Sequence, residues 1–144
     1  ASFVEVYQNC NIFNDGAWDY AKDKETKEDS LLLLEHGKPM IFGKDRDKGI
    51  RLNGLEPEVV ELGKGISEDD LLFHDEHSPE PNLAYLLSRM SRRKGFPEPI
   101  GVFRAVDSPR YDTLINDQVA QAQQQLGPGD LEALFRSDDT WVVE

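Results

Sequence analysis

One cysteine, Cys10, and three histidines, His36, His74 and His77, are the residues of this 144-residue chain whose types most readily do chemistry. A lone thiol acts as a nucleophile if a base and an orienting group approach it, or as a metal ligand if other donors join it. With a single cysteine no internal disulfide can form, so Cys10 is either a small buried hydrophobe or a functional thiol, and a reducing compartment suits it. The histidines supply a base only where the fold carries one to Cys10. His74-Asp75-Glu76-His77 sets two histidines three apart beside two carboxylates, which invites a metal. Ser78-Pro79-Glu80-Pro81 follows at once and keeps a continuing helix from presenting both rings on one face. With no third ligand at a matching spacing, the expectation there is an exposed connection between helices. Acidic residues are abundant enough for some pair to do acid–base work, but an acidic surface accounts for their number. No G-x-G-x-x-G, P-loop or nucleophile elbow occurs, so nucleotide handling has no support.

The elements that must position Cys10 come next. Ser2-Phe3-Val4-Glu5-Val6-Tyr7 alternates as a strand does and brings the thiol to a strand end, where Asn14-Asp15-Gly16 supplies turn chemistry. Residues 17–24 suit a short helix, and the alternating charges of residues 22–29 read as a solvated loop tip. Short apolar runs at 31–35, 39–42, 49–52 and 59–62 predict a small antiparallel meander, with Gly37-Lys38 and residues 45–49 as hairpin connections. Ser67 and Asp70 form a capping-box pattern ahead of Leu71-Leu72-Phe73, which predicts a helix start.

Leu83, Leu86, Leu87 and Met90 recur at helical spacing within residues 82–92, until Gly95 and Pro97 stop the helix. Arg89, Arg92, Arg93 and Lys94 crowd its last turn. Cations there complement the helix dipole, and the cluster could also dock an acidic protein. Residues 99–106 predict a strand and residues 109–125 an amphipathic helix through Leu114, Ile115 and Val119. Asp130 caps a last helix over 131–136, and Thr140-Trp141-Val142-Val143 closes the chain as a strand or extended tail. The fold class is α/β or α+β.

Bulk composition narrows the function classes. Twenty-eight acidic against sixteen basic residues give a net charge of −12, which argues against nucleic acid or anionic membranes as broad partners. The longest apolar run, Leu31-Leu32-Leu33-Leu34, falls far short of the roughly 18–20 residues of a spanning helix. Hydrophobic content of 38% and mean hydropathy of −0.58 are those of a polar globular chain.

The stretch Gln8-Asn9-Cys10-Asn11-Ile12-Phe13-Asn14-Asp15-Gly16-Ala17-Trp18 resembles the beta subunit of bacterial 2-oxoacid:ferredoxin oxidoreductases, particularly the 2-oxoglutarate type. Further landmarks of that subunit resemble, in order, Leu34-Glu35-His36-Gly37-Lys38-Pro39, Phe42-Gly43-Lys44-Asp45, His74-Asp75-Glu76 and Leu83-Ala84-Tyr85-Leu86-Leu87-Ser88-Arg89-Met90. Pro97-Glu98-Pro99-Ile100-Gly101-Val102-Phe103-Arg104 and Gly127-Pro128-Gly129-Asp130-Leu131 complete the series.

The resemblance implies the C-terminal part of a thiamine-diphosphate-binding fold, with residues 1–29 ending that domain and residues 30–144 forming an extension of a small β meander and two to three helices. It implies thiamine diphosphate, Mg²⁺ and a [4Fe–4S] cluster in the whole enzyme, with Cys10 as one cluster ligand. It also implies a cytoplasmic enzyme with an alpha subunit, ferredoxin, a 2-oxoacid and coenzyme A as partners. The other cluster cysteines and the Gly-Asp-Gly stretch of the diphosphate site have no counterpart here, so the expectation is a segment inactive by itself. A stand-alone protein-interaction module with a structural Cys10 is the alternative.

Overall fold

The structure is a computed structural model that describes residues 1–136 and Trp141. It contains two compact units, one of Phe3–Val106 and one of Ala1–Ser2 with Asp107–Glu144. The expected division after residue 29 falls inside the first unit.

Within Phe3–Val106 the elements run α1 (Asp19–Lys22), α2 (Lys27–Ser30), β1 (Leu31–Leu33), β2 (Ile41–Phe42), β3 (Lys48–Asn53), β4 (Glu56–Glu61), α3 (Asn82–Met90) and β5 (Glu98–Ile100). The mixed α/β class is as expected. The meander is β2-β3-β4, antiparallel throughout. Its tight hairpin turns at Gly54-Leu55, between the paired Asn53 and Glu56, with Gly54 at φ +64°. A first turn residue at positive φ is the reason glycine stands there.

The expected first meander strand does something else. β1 leaves the meander and pairs parallel with β5, Leu31 opposite Glu98 and Leu33 opposite Ile100. Gly37-Lys38 therefore joins no hairpin. Its segment lies along residues 72–74, through Gly37 N–H to the His74 carbonyl (2.8 Å), His74 N–H to that of Lys38 (2.9 Å) and Met40 N–H to that of Leu72 (2.9 Å). Leu71-Leu72-Phe73 is thus extended and not helical. The capping box of Ser67 and Asp70 forms as expected but governs a single 3₁₀ turn, Glu68–Asp70. The backbone of Leu72 is then claimed by Ile50 (2.8 Å) and Met40, and tertiary pairing overrides the local helix signal.

Residues 22–29 are likewise not just a loop tip, because α2 occupies their end and Asp29 reaches Lys48 Nζ at 2.9 Å. Residues 2–7 form no strand. Phe3, Val4 and Val6 are exposed, and no ladder among the described residues includes them. An alternating pattern needs a neighbouring strand to become a sheet, and this unit offers none.

The core sits where α3 covers the strands. Leu32, Leu34, Met40, Phe42, Ile50, Leu87 and Met90 form one buried cluster, each full-sized side chain contributing about 1.5–3 kcal/mol when buried. Ile41, Val60 and Leu71 form a second. α3 places Leu87 and Met90 inward, and its chain turns away through Arg92 (φ +56°) and Gly95 (φ +85°).

In the other unit, α4 (Tyr111–Leu126) ends at Gly127 with φ +77°, and α5 (Leu131–Phe135) starts on Asp130, whose carboxylate accepts from Ala133 N–H at 3.1 Å. Both helices are present as expected. The expected extended tail at residues 140–143 lies outside the described residues except for Trp141, which is exposed. No described helix is long and apolar enough to cross a membrane.

Candidate functional site

Cys10 opens a tight turn. Asn14 N–H returns to the Cys10 carbonyl at 2.9 Å, closing an isolated antiparallel bridge between the two residues. Folding three residues into that bridge turns consecutive backbone N–H groups toward the sulfur. Hydrogen bonding from Phe13 N–H first, then Ile12, with Asn14 adding to them, lowers the thiol pKa below its ordinary value. The half-buried sulfur is free of any disulfide. A thiolate favoured by backbone amides is the form that ligates metals and attacks electrophiles.

The turn's own polar residues make its frame. Asn9 accepts from Gly16 N–H at 2.9 Å and donates to Asn11 (2.9 Å) and Asp15 (3.0 Å), while Gly16 adopts φ +73°. The expected Asn14-Asp15-Gly16 turn is present.

A second clamp fixes this frame to the core, and sequence reasoning missed it. Tyr7 and Tyr20, on either side of Cys10, both donate their hydroxyls to the Glu98 carboxylate, at 2.6 and 2.9 Å. Glu98 is 2% exposed and also accepts from Arg92 N–H at 3.2 Å, so a buried charge is held by three donors as it must be. Burial first, and the Glu98 carboxylate second, push the Tyr20 phenol up to about 12 and raise that of Tyr7 still more. Trp18 stacks on Tyr7 with centroids 4.1 Å apart, and the Arg92 guanidinium lies 5.2 Å from the Trp18 ring centroid. The one signal in the sequence was a carboxylate between two prolines, Pro97-Glu98-Pro99, in an apolar run.

None of the histidines hydrogen-bonds Cys10. His74, expected in an exposed connection, is 1% exposed, with Nε2 at 2.7 Å from the Val102 carbonyl and Nδ1 without a protein partner. It is buried because residues 72–74 run as an inner strand-like segment beside residues 37–40. His77 contacts the Ala105 carbonyl through Nδ1 at 2.8 Å, and His36 lies beside Asp75, Nδ1 to Oδ1 3.6 Å. The fold brings His36 and His77 together with Glu76. A Cys-His catalytic pair therefore has no geometric support.

No family model matches the chain, and no solved structure matches it. A match exists among curated proteins, to the 2-oxoglutarate oxidoreductase subunit KorB of Mycobacterium tuberculosis, with 33% identity over 146 aligned positions. From end to end, this chain is similar to part of KorB. The match spans 100% of this chain and 39% of KorB. The resemblance read from the Cys10 stretch and the landmarks that follow it is borne out, and KorB is named as a subunit of a larger oxidoreductase.

Proposed function

We propose that this chain works as part of the beta subunit of a 2-oxoacid:ferredoxin oxidoreductase, with 2-oxoglutarate as substrate. The similarity to KorB along the whole chain carries this reading. The reaction is coenzyme A-dependent oxidative decarboxylation with electrons passing to ferredoxin. In the complete cytoplasmic enzyme, with its alpha subunit, thiamine diphosphate and Mg²⁺ supply the electron sink and a [4Fe–4S] cluster the electron outlet.

Cys10 is the residue of this chain that fits the cluster. Iron in such clusters takes thiolate sulfur, and hydrogen bonds to the sulfurs tune the potential; the backbone amides of Phe13, Ile12 and Asn14 favour the thiolate form at Cys10. With one cysteine the chain supplies one of four usual ligands, so turnover requires ligands from elsewhere. Residues 1–29 then belong with the thiamine-binding part and residues 30–144 with an extension that packs on it or on the alpha subunit. Exposed Phe3, Val4 and Val6 support an edge that another strand covers.

The decisive experiment replaces Cys10 with Ala in the complete subunit. Iron, acid-labile sulfide and 2-oxoglutarate-dependent ferredoxin reduction should all fall. Unchanged iron and sulfide remove Cys10 from the ligand set.

A further inference from the structure

We propose that His36, Glu76 and His77 bind a divalent transition-metal ion of the zinc class. One ligand atom from each lies within 4.8 Å of the other two. The two imidazole centroids are 4.7 Å apart, with the rings inclined at 50°. Nε2 of His77 is 3.4 Å from Oε1 of Glu76. That is already the separation of two ligands on zinc, since bonds of about 2.0–2.1 Å in a tetrahedron set neighbouring donors about 3.4 Å apart. The remaining contraction falls on His36, whose half-exposed side chain is free to turn.

The orientation of the His77 ring is set by its surroundings. A carbonyl oxygen only accepts, so the 2.8 Å contact to Ala105 places a ring proton on Nδ1, and in the neutral ring the lone pair is then on Nε2, the nitrogen that faces Glu76. A ring N–H given to a backbone carbonyl is how metal-binding histidines are usually oriented. Asp75 stands 3.6 Å from His36 Nδ1, where a small shift lets it orient that ring likewise, and it also accepts from His77 N–H at 3.0 Å.

The backbone that carries the donors is tied down independently of any ion. Gly37 and Lys38 exchange hydrogen bonds with His74, Ala105 N–H reaches the Glu76 carbonyl at 2.6 Å, and the Arg104 guanidinium holds the carbonyls of Ser78 and Pro79 at 3.1 and 2.5 Å. Little ordering remains for binding to impose. Two imidazoles and one carboxylate select zinc, copper, nickel or iron over magnesium and calcium, which take oxygen. Three protein donors leave a fourth position for water, and the exposure of His77 gives an ion its entry. Bound there, the ion joins the loop at residues 36–38 to the loop at residues 75–77.

Titration of the metal-free chain with zinc, in excess Mg²⁺, tests this. A single equivalent should bind with a Kd in the micromolar range or below, and the thermal midpoint should rise with zinc. His36→Gln and His77→Gln should each weaken binding at least about 100-fold, and Asp75→Asn about tenfold, the range found for removing orienting partners. Cys10→Ser should change nothing, which separates this ion from any bound at the cysteine. Cobalt in place of zinc should give visible ligand-field absorption that His77→Gln abolishes, with circular dichroism confirming that the variant is folded. Zinc that binds only at millimolar concentration, or equally well to the His36→Gln/His77→Gln double variant, overturns the proposal.

Discussion

Cys10 and Glu98 illustrate opposite uses of hydrogen bonding, since amides stabilise an anion at the first while phenols satisfy one at the second. A thiol pKa lowered in the folded chain means that folding favours the thiolate. The associated stability is present above the ordinary thiol pKa of about 8.5 and is lost as pH falls through the folded value. Iodoacetamide alkylation of Cys10, followed by mass spectrometry, should accordingly show a lower pH midpoint in the folded chain than in urea. The tyrosines run the other way. Their pKa values are raised, so stability holds below about 10 and is lost as pH climbs toward about 12. Denaturant unfolding across that window should show the loss, and Tyr20→Phe should flatten it. At neutral pH, Tyr7→Phe should cost about 1 kcal/mol and Glu98→Ala about 3 kcal/mol, because the latter strands two part-buried hydroxyls and an amide. The Cys10 turn was legible from Asn14-Asp15-Gly16 because turn chemistry is local. Glu98 was not, because its partners lie 91 and 78 residues away and no spacing rule reaches that far.

The same division between local and distant information runs through the elements. α3 and the caps at Ser67 and Asp130 could be read directly, since their signals lie within a turn or two of the residues they organise. The β1–β5 pair could not be read, because two apolar triplets look alike whether they pair with a neighbour or with each other across the chain. A steric detail now constrains the meander. A Cβ on Gly49 meets the methyls of Leu71 at 2.5 and 2.6 Å, so the residue is small in order to admit a core leucine. Gly49→Ala should destabilise the chain by about 1–3 kcal/mol through overpacking, measurable by urea unfolding. Gly49→Ala combined with Leu71→Ala should recover part of that loss if the clash is the cause. The basic cluster at the end of α3 is also partly spoken for. Arg92 sits on Trp18, and Arg93 covers Phe96 at 4.3 Å and approaches Glu56 at 3.9 Å. If the proposed function holds and this cluster docks ferredoxin, Arg89 and Lys94 are the residues left to do it, and their charge reversal should weaken the salt dependence of ferredoxin reduction in the complete enzyme.

Across the molecule as a whole, a charge of −12 coexists with exposed apolar side chains at Phe3, Val4, Val6 and Phe13. Like charge keeps copies apart, and salt screens it over about 10 Å at 0.1 M. Self-association of the isolated chain should therefore rise with salt in sedimentation velocity, and Phe3→Ser with Phe13→Ser should suppress it. Glu98 has a consequence in time as well as in space. The residues that bracket Cys10 reach their anchor only after the chain has grown through residue 98, and closing a loop that long precedes any gain from the contact. On a ribosome, the cysteine is thus made well before the residue that sets it in place, and its turn is anchored only once the strand that holds Glu98 has emerged.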